Sequence, residues 1–172
     1  MTTDVTYSNL ESGPYNLFYD ILNNRTNLPD PRGSTATSRQ FILDADPVLH
    51  KSMAFSGPPY VVLEPPTLVW DKISVDGRFK FANWKQRIIV RTARDGSGNN
   101  RADVGRTDIL TIGDNLQNLF NNLTIKQSIF YAGISKSMIT KLSTDIVTID
   151  QKQMFEAVYE LEYENRFMVT SV

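Results

Sequence analysis

Phe155-Glu156-Ala157-Val158-Tyr159-Glu160-Leu161-Glu162-Tyr163-Glu164-Asn165-Arg166-Phe167-Met168-Val169 alternates between apolar and charged side chains. Phe155, Ala157, Tyr159, Leu161, Tyr163, Phe167 and Val169 share one parity, broken only by Asn165. Glu156, Glu160, Glu162, Glu164 and Arg166 share the other, with Val158 and Met168 as exceptions. A period of two places alternate side chains on opposite faces of a β-strand, so this stretch predicts a long strand with one face buried. Residues 150–153 predict a turn that folds it back on residues 142–149. That partner is much the shorter of the two, so the strand beyond about residue 162 is expected to pair with another strand of the sheet or with another chain.

Working towards the N-terminus, residues 67–75 and 78–94 are rich in β-branched and aromatic side chains and flank Asp76-Gly77. Asp-Gly is a hairpin signal because both central positions of a type I′ turn need positive φ. Phe79 and Phe81 fall on one parity and Trp84, Ile88 and Val90 on the other, which predicts a bulge near Asn83. A flexible loop is expected from Asp95 to about Arg106. Ile112, Leu116, Leu119, Phe120 and Leu123 then follow helical spacing, with Thr107 as cap or with residues 109–112 as a strand and Asp114 as cap. Residues 125–142 carry mixed signals and support no assignment.

Seven of the eight prolines lie between Pro29 and Pro66. Before them, Ser12-Gly13-Pro14 starts a helix over 14–23, with Leu17, Phe18, Ile21 and Leu22 on one face. Residues 23–40 contain only Leu28 and Ala36 as aliphatic side chains, too little to offset their ordering, and predict a long mobile loop. Pro58-Pro59 and Pro65-Pro66 bracket Tyr60–Leu63, which is expected to be an edge strand or an extended arm because proline gives the ladder no donor. The resulting expectation is one α+β domain over 1–172. Residues 67–172 form its core, a twisted, mainly antiparallel sheet of long hairpins with one or two helices on one face. Residues 1–66 supply a helix and an extended Pro-rich N-terminal arm.

Composition narrows the chemistry. The 172 residues include 18 Lys and Arg against 19 Asp and Glu, which argues against binding nucleic acid through bulk positive charge. There is no Cys, which excludes disulfides, thiol nucleophiles and Cys-ligated zinc, and a single His, His50. His50 lies near Asp44 and Asp46, but the spacing fits no recognised metal site and reads as a surface His beside solvated acids. The Gly96-Ser97-Gly98 run lacks the Lys-Ser/Thr of a phosphate loop. Asp95, Ser97, Asn99 and Asp103 resemble a calcium loop, yet its glycine and bidentate-acid positions are Asn100 and Arg106. No Gly-x-Ser-x-Gly nucleophile motif occurs. No stretch approaches the roughly 20 apolar residues of a membrane span. Met1 to Tyr7 lacks the basic and apolar regions of a secretory signal, so the Asn24-Arg25-Thr26 and Asn122-Leu123-Thr124 triplets read as chance glycosylation matches and assembly is expected in a cytoplasm.

The charge pattern is the remaining signal. Lys85, Arg87 and Arg91 share one strand parity, with Arg94 just beyond, and Glu156, Glu160, Glu162 and Glu164 form an acidic row on a second strand. Such rows either neighbour each other in one sheet or lie on opposite sides of a subunit and meet across a repeated heterologous interface. Trp84, Phe81, Tyr159 and Tyr163 could alternatively line a pocket between sheet and helix, though aromatics at strand spacing are more often core.

Taken in order, the elements resemble those of the tail-terminator (tail-completion, head–tail joining) proteins of tailed phages. The resemblance runs over residues 67–172. It rests on Trp84-Lys85-Gln86-Arg87-Ile88-Ile89-Val90-Arg91, on Arg106-Thr107-Asp108-Ile109-Leu110 leading into Leu116-Gln117-Asn118-Leu119-Phe120, and on the Ala157-Val158-Tyr159-Glu160-Leu161-Glu162-Tyr163 strand. It implies a virion structural protein with no catalytic step and no cofactor. That protein would assemble with itself as a hexameric ring on the tail tube protein and meet a head–tail connector or neck protein. DNA would be passing cargo only, and no membrane would be involved. Another neck or baseplate ring, or a small ligand-binding or enzymatic α+β domain, are the alternatives.

Overall fold

The computed structural model describes residues 12–32, 40–46, 57–73, 79–94, 96 and 101–168. Among them the chain forms α1 (Ser12–Asn23), β1 (Ile42–Leu43), β2 (Tyr60–Leu63), β3 (Thr67–Ile73), β4 (Phe79–Ala93), α2 (Ala102–Asn121), α3 (Leu123–Tyr131), β5 (Ile134–Ile149) and β6 (Lys152–Met168). The class is α+β. Six strands make one sheet in the order β1-β2-β4-β6-β5, with β3 also paired to β4. All pairings are antiparallel except the short β1–β2 contact.

β6 is the strand its alternation predicts. It pairs with β4 without a slip from Phe79↔Met168 to Ala93↔Met154. Its other side pairs with β5 from Ile134↔Asn165 to Ile149↔Lys152. The expected overhang beyond residue 162 is therefore filled inside the same sheet, because β5 begins at Ile134 and is as long as β6 requires. The hairpin turns on Asp150 and Gln151, at φ 48° and 65°. Positive φ at both central residues gives the right-handed strand twist that a two-residue hairpin needs.

β4 and β6 present two different faces. Ala82, Trp84, Ile88, Val90, Ala157, Tyr159, Leu161 and Tyr163 are buried beneath the helices. Three helices cover this face, α1 from the N-terminal segment and α2 and α3 from the core, as the sequence leads one to expect. The Phe18 ring of α1 packs at a tilt, 4.9 Å from Tyr163 and 6.0 Å from Phe120 of α2, tying both helices to β6. Phe79 and Phe81 belong to the opposite face, with no bulge at Asn83. The irregularity lies in β3 instead, between Leu68 and Trp70. The parity change arises because β4 is apolar on both sides at different heights.

Asn165, the one polar residue on the buried face of β6, has a specific partner: the Trp84 indole Nε1–H donates to its Oδ1 at 2.9 Å. Both residues are buried. Trp84→Phe removes the donor and leaves a buried acceptor unpaired, at a cost of about 1–3 kcal/mol. Chemical denaturation should show that loss, and Trp84→Phe combined with Asn165→Leu should recover part of it.

The described residues of the N-terminal third contribute to the core. β2 lies between β1 and β4, not at an edge, and all four of its residues are buried. The proline pairs fall outside the paired residues 60–63, so no ladder bond is missing. Leu28 is fully buried, and Arg32 reaches Asp108 of α2 at 3.1 Å, so residues 24–32 are held to the domain. Residues 33–39 and the Asp76-Gly77 turn lie outside the described residues.

α2 starts at Ala102, inside the stretch expected to be loop, with neither Thr107 nor Asp114 as its cap and no strand over 109–112. It ends at Asn121. Asn122 then caps α3, its side chain accepting from the backbone N–H of Thr124 at 2.9 Å and of Ile125 at 3.3 Å. This break turns Leu123 to solvent, off the α2 face to which its spacing assigned it. The previously unassigned 125–142 segment divides into α3 and the first half of β5.

Tyr15 of α1 donates from its hydroxyl to the Asp44 and Leu63 carbonyls, at 3.2 and 3.4 Å. Burial, then Asp44 and Tyr19, push its pKa up to about 12. Burial also raises Tyr60, against the opposing pull of Arg91, and Tyr159, with Asp114 adding to it. An unfolded phenol releases its proton near 10 while these folded ones retain theirs, so the unfolded state binds fewer protons above that pH. The contribution of these phenols to stability should stay level below pH 10 and fall as pH rises from 10 towards 12. Urea midpoints across that range should show the decline, and Tyr15→Phe should flatten part of it.

Candidate assembly surface

The sheet face away from the helices carries the charge pattern. In the β4–β6 register Lys85 lies opposite Glu162, Arg87 opposite Glu160 and Arg91 opposite Glu156. The basic and acidic rows are therefore neighbours within one sheet, and they do not lie on opposite sides of the subunit.

Arg91 is the centre of the surface. Its Nε donates to Glu156 Oε2 at 2.7 Å, and its Nη1 to Asp46 Oδ1 and Oδ2 at 2.7 and 2.8 Å. The Arg91 side chain is 9% exposed, those of Asp46 and Glu156 11% and 17%. Burial pulls the guanidinium pKa down, but hydrogen bonds to Asp46, Tyr60 and Glu156 more than reverse it, and the group stays charged. Leu43, Tyr60, Val62, Ile89 and Met154 form a small apolar cluster on this face, beside the charges. Neither Asp46 nor Tyr60 is distinguishable as a partner of Arg91 in the sequence. The parallel β1–β2 contact places them, and two-residue β1 has no detectable period.

Further along, Lys85 Nζ reaches diagonally to Glu160 Oε1 at 2.7 Å, which raises the lysine's pKa. Asn83 Nδ2 donates to Glu162 Oε1 at 3.1 Å, and Ser135 Oγ to Glu164 Oε1 at 3.2 Å. Arg87 is exposed, and Arg94 bonds Gln153 at the end of the strand. At the opposite end the face turns aromatic. Lys72 lies over the Trp70 and Phe81 rings at 4.9 and 5.5 Å, and Arg166 over Phe79 at 3.7 Å.

The candidate pocket residues do not converge. Trp84, Tyr159 and Tyr163 are buried in the helix-side core, and Phe81 is on the other face. Asp46 is engaged by Arg91, and Asp103 lies in the first turn of α2 beside Arg101. His50, Ser97 and Asn99 lie outside the described residues. Among the described residues no group of three His, Cys, Asp or Glu side chains is placed to hold a metal. None of the described helices is long and apolar enough to cross a membrane. No protein-family model and no curated protein matches the chain.

Proposed function

We propose that this chain is a non-enzymatic virion structural protein, a tail terminator that forms a homo-oligomeric ring, hexameric by the resemblance. The ring caps the tail tube and joins it to the head–tail connector. The observation that carries this reading is the sheet's asymmetry. Three helices bury one face, whereas the other keeps a charged surface of Lys85, Arg87, Arg91, Glu156, Glu160, Glu162 and Glu164, in which Lys85–Glu160 and Arg91–Glu156 are ion pairs. An antiparallel sheet can keep such a face in water, and in a ring subunit the same face is available to a neighbouring copy or to the channel.

Where this face lines the central channel of such a ring, the pairing of the rows sets the charge that DNA meets. Four glutamates on β6 are answered by three bases on β4. A ring lined by this face offers passing DNA a near-balanced surface that neither concentrates phosphates nor strongly repels them. Glu160→Lys with Glu162→Lys sets like charges against Lys85 and Arg87 and turns the lining basic.

The test is tube growth. Added to polymerising tail-tube subunits of the same virus, the chain should arrest elongation at substoichiometric amounts, with ring density at one tube end in negative stain. Tube lengths unchanged by the chain at every ratio would overturn the terminator reading.

A further inference from the structure

Two edges of the sheet match each other. Among the described residues β5 pairs only with β6, and β3 only with β4. Across the shared part of the sheet the order is β3, β4, β6, β5, and each step is antiparallel. Trp70, Asn83, Glu164 and Lys136 lie in one row, and Leu68, Trp84, Tyr163 and Ser137 in another. β3 and the first half of β5 therefore bound the same rows and run in opposite directions. A second copy set edge to edge brings its β3 antiparallel to β5, with the helix layer kept on the same side.

The side chains favour that partner. Edge strands of monomers are blunted by charge, proline or brevity. Here β5 exposes Met138 by 52% and Leu142 by 50%, and β3 exposes Leu68 by 45%, Val69 by 47% and Trp70 by 39%. β5 carries Lys136 and Lys141 before its first acid, Asp145, whereas β3 carries Asp71 beside Lys72 and is neutral. Pairing β5 with another β5 over residues 134–142 brings two basic edges together, whereas pairing with β3 sets a basic edge against a neutral one.

We infer that β5 of one copy pairs antiparallel with β3 of the next, so that the sheet runs from subunit to subunit. The inference deepens the ring reading and rests on it for closure, since a head-to-tail contact yields a ring only if its rotation closes.

The chain has no cysteine, so introduced thiols are the only ones present. Val69→Cys is combined in turn with Met138→Cys, Thr140→Cys and Leu142→Cys, all at exposed positions. Each variant is oxidised, then analysed by non-reducing electrophoresis and native mass spectrometry. At least one combination should give a ladder of disulfide-linked multimers, while each single variant stays unlinked. Linked dimers from a β5 thiol alone would overturn the inference in favour of two-fold pairing. Absence of links in samples that remain oligomeric would overturn it and leave the ring reading standing. A monomer throughout would overturn both.

Discussion

Gly105→Ala should destabilise the protein by at least about 3 kcal/mol, lowering the melting temperature by roughly 6–12 °C for a chain of this size. Helix propensity alone predicts the opposite sign, since alanine is favoured over glycine within a helix by up to about 1 kcal/mol. Packing decides the matter. A Cβ at Gly105 collides with the Ala93 carbonyl oxygen and lies 2.8 Å from its carbon. Both are backbone atoms of β4, whose Ala93 is paired with Met154 of β6. The Thr92 hydroxyl also donates to the Gly105 carbonyl at 2.7 Å in a buried position. Gly105 is thus where α2 touches the sheet backbone directly, and only a residue without Cβ permits that approach.

Gly113, two turns on, supplies the control. There a Cβ meets the Tyr159 hydroxyl at 2.2 Å and its Cζ at 3.4 Å. Removing that oxygen removes the clash, so Gly113→Ala should be destabilising alone and much less so beside Tyr159→Phe. The coupling should be about 1–3 kcal/mol. Calorimetry on the four proteins of that cycle, with Gly105→Ala as a fifth, checks both statements. A Gly105→Ala protein as stable as the parent would show that α2 does not sit against β4 as described.

Arg91→Leu should cost about 3–5 kcal/mol at neutral pH, because it strands the Asp46 and Glu156 carboxylates with little water around them. Arg91→Lys keeps the charge but loses the planar fork that serves two carboxylates at once, so it should recover only part of the loss. Replacing Arg91, Asp46 and Glu156 together by apolar residues of similar volume should come close to parent stability, since no charge is then left unpaired. Urea unfolding at pH 7 measures the series. A deficit for Arg91→Leu that is small at pH 7 would contradict the ion-pair account.

Legibility in the sequence tracked how much of each element's environment is local. β6 is legible because one face is buried along most of its length, and strict alternation follows from that. β2 is not, because what makes it central is pairing with β1 and β4, residues far away in sequence. The proline pairs around it suggest an edge only if the strand extends through them, and it stops at residues 60 and 63. β5 is exposed along most of its length, so burial imposes little period on it, and α3 hides its start behind a capping asparagine that also matches a glycosylation triplet. The two charged rows are visible as rows, but their mutual register is set by the unbroken β4–β6 ladder. That ladder decides between neighbours in a sheet and partners across an interface. Asp46 joins Arg91 only through the tertiary placement of β1.

The central claim is that identical copies of this chain close into a ring. Native mass spectrometry of the purified protein across concentration, with negative-stain images of the same samples, tests it most directly. The account predicts a single closed species of six subunits with a central opening, in equilibrium with monomer at low concentration. A protein that remains monomeric at every concentration, with no ring in any image, would contradict it.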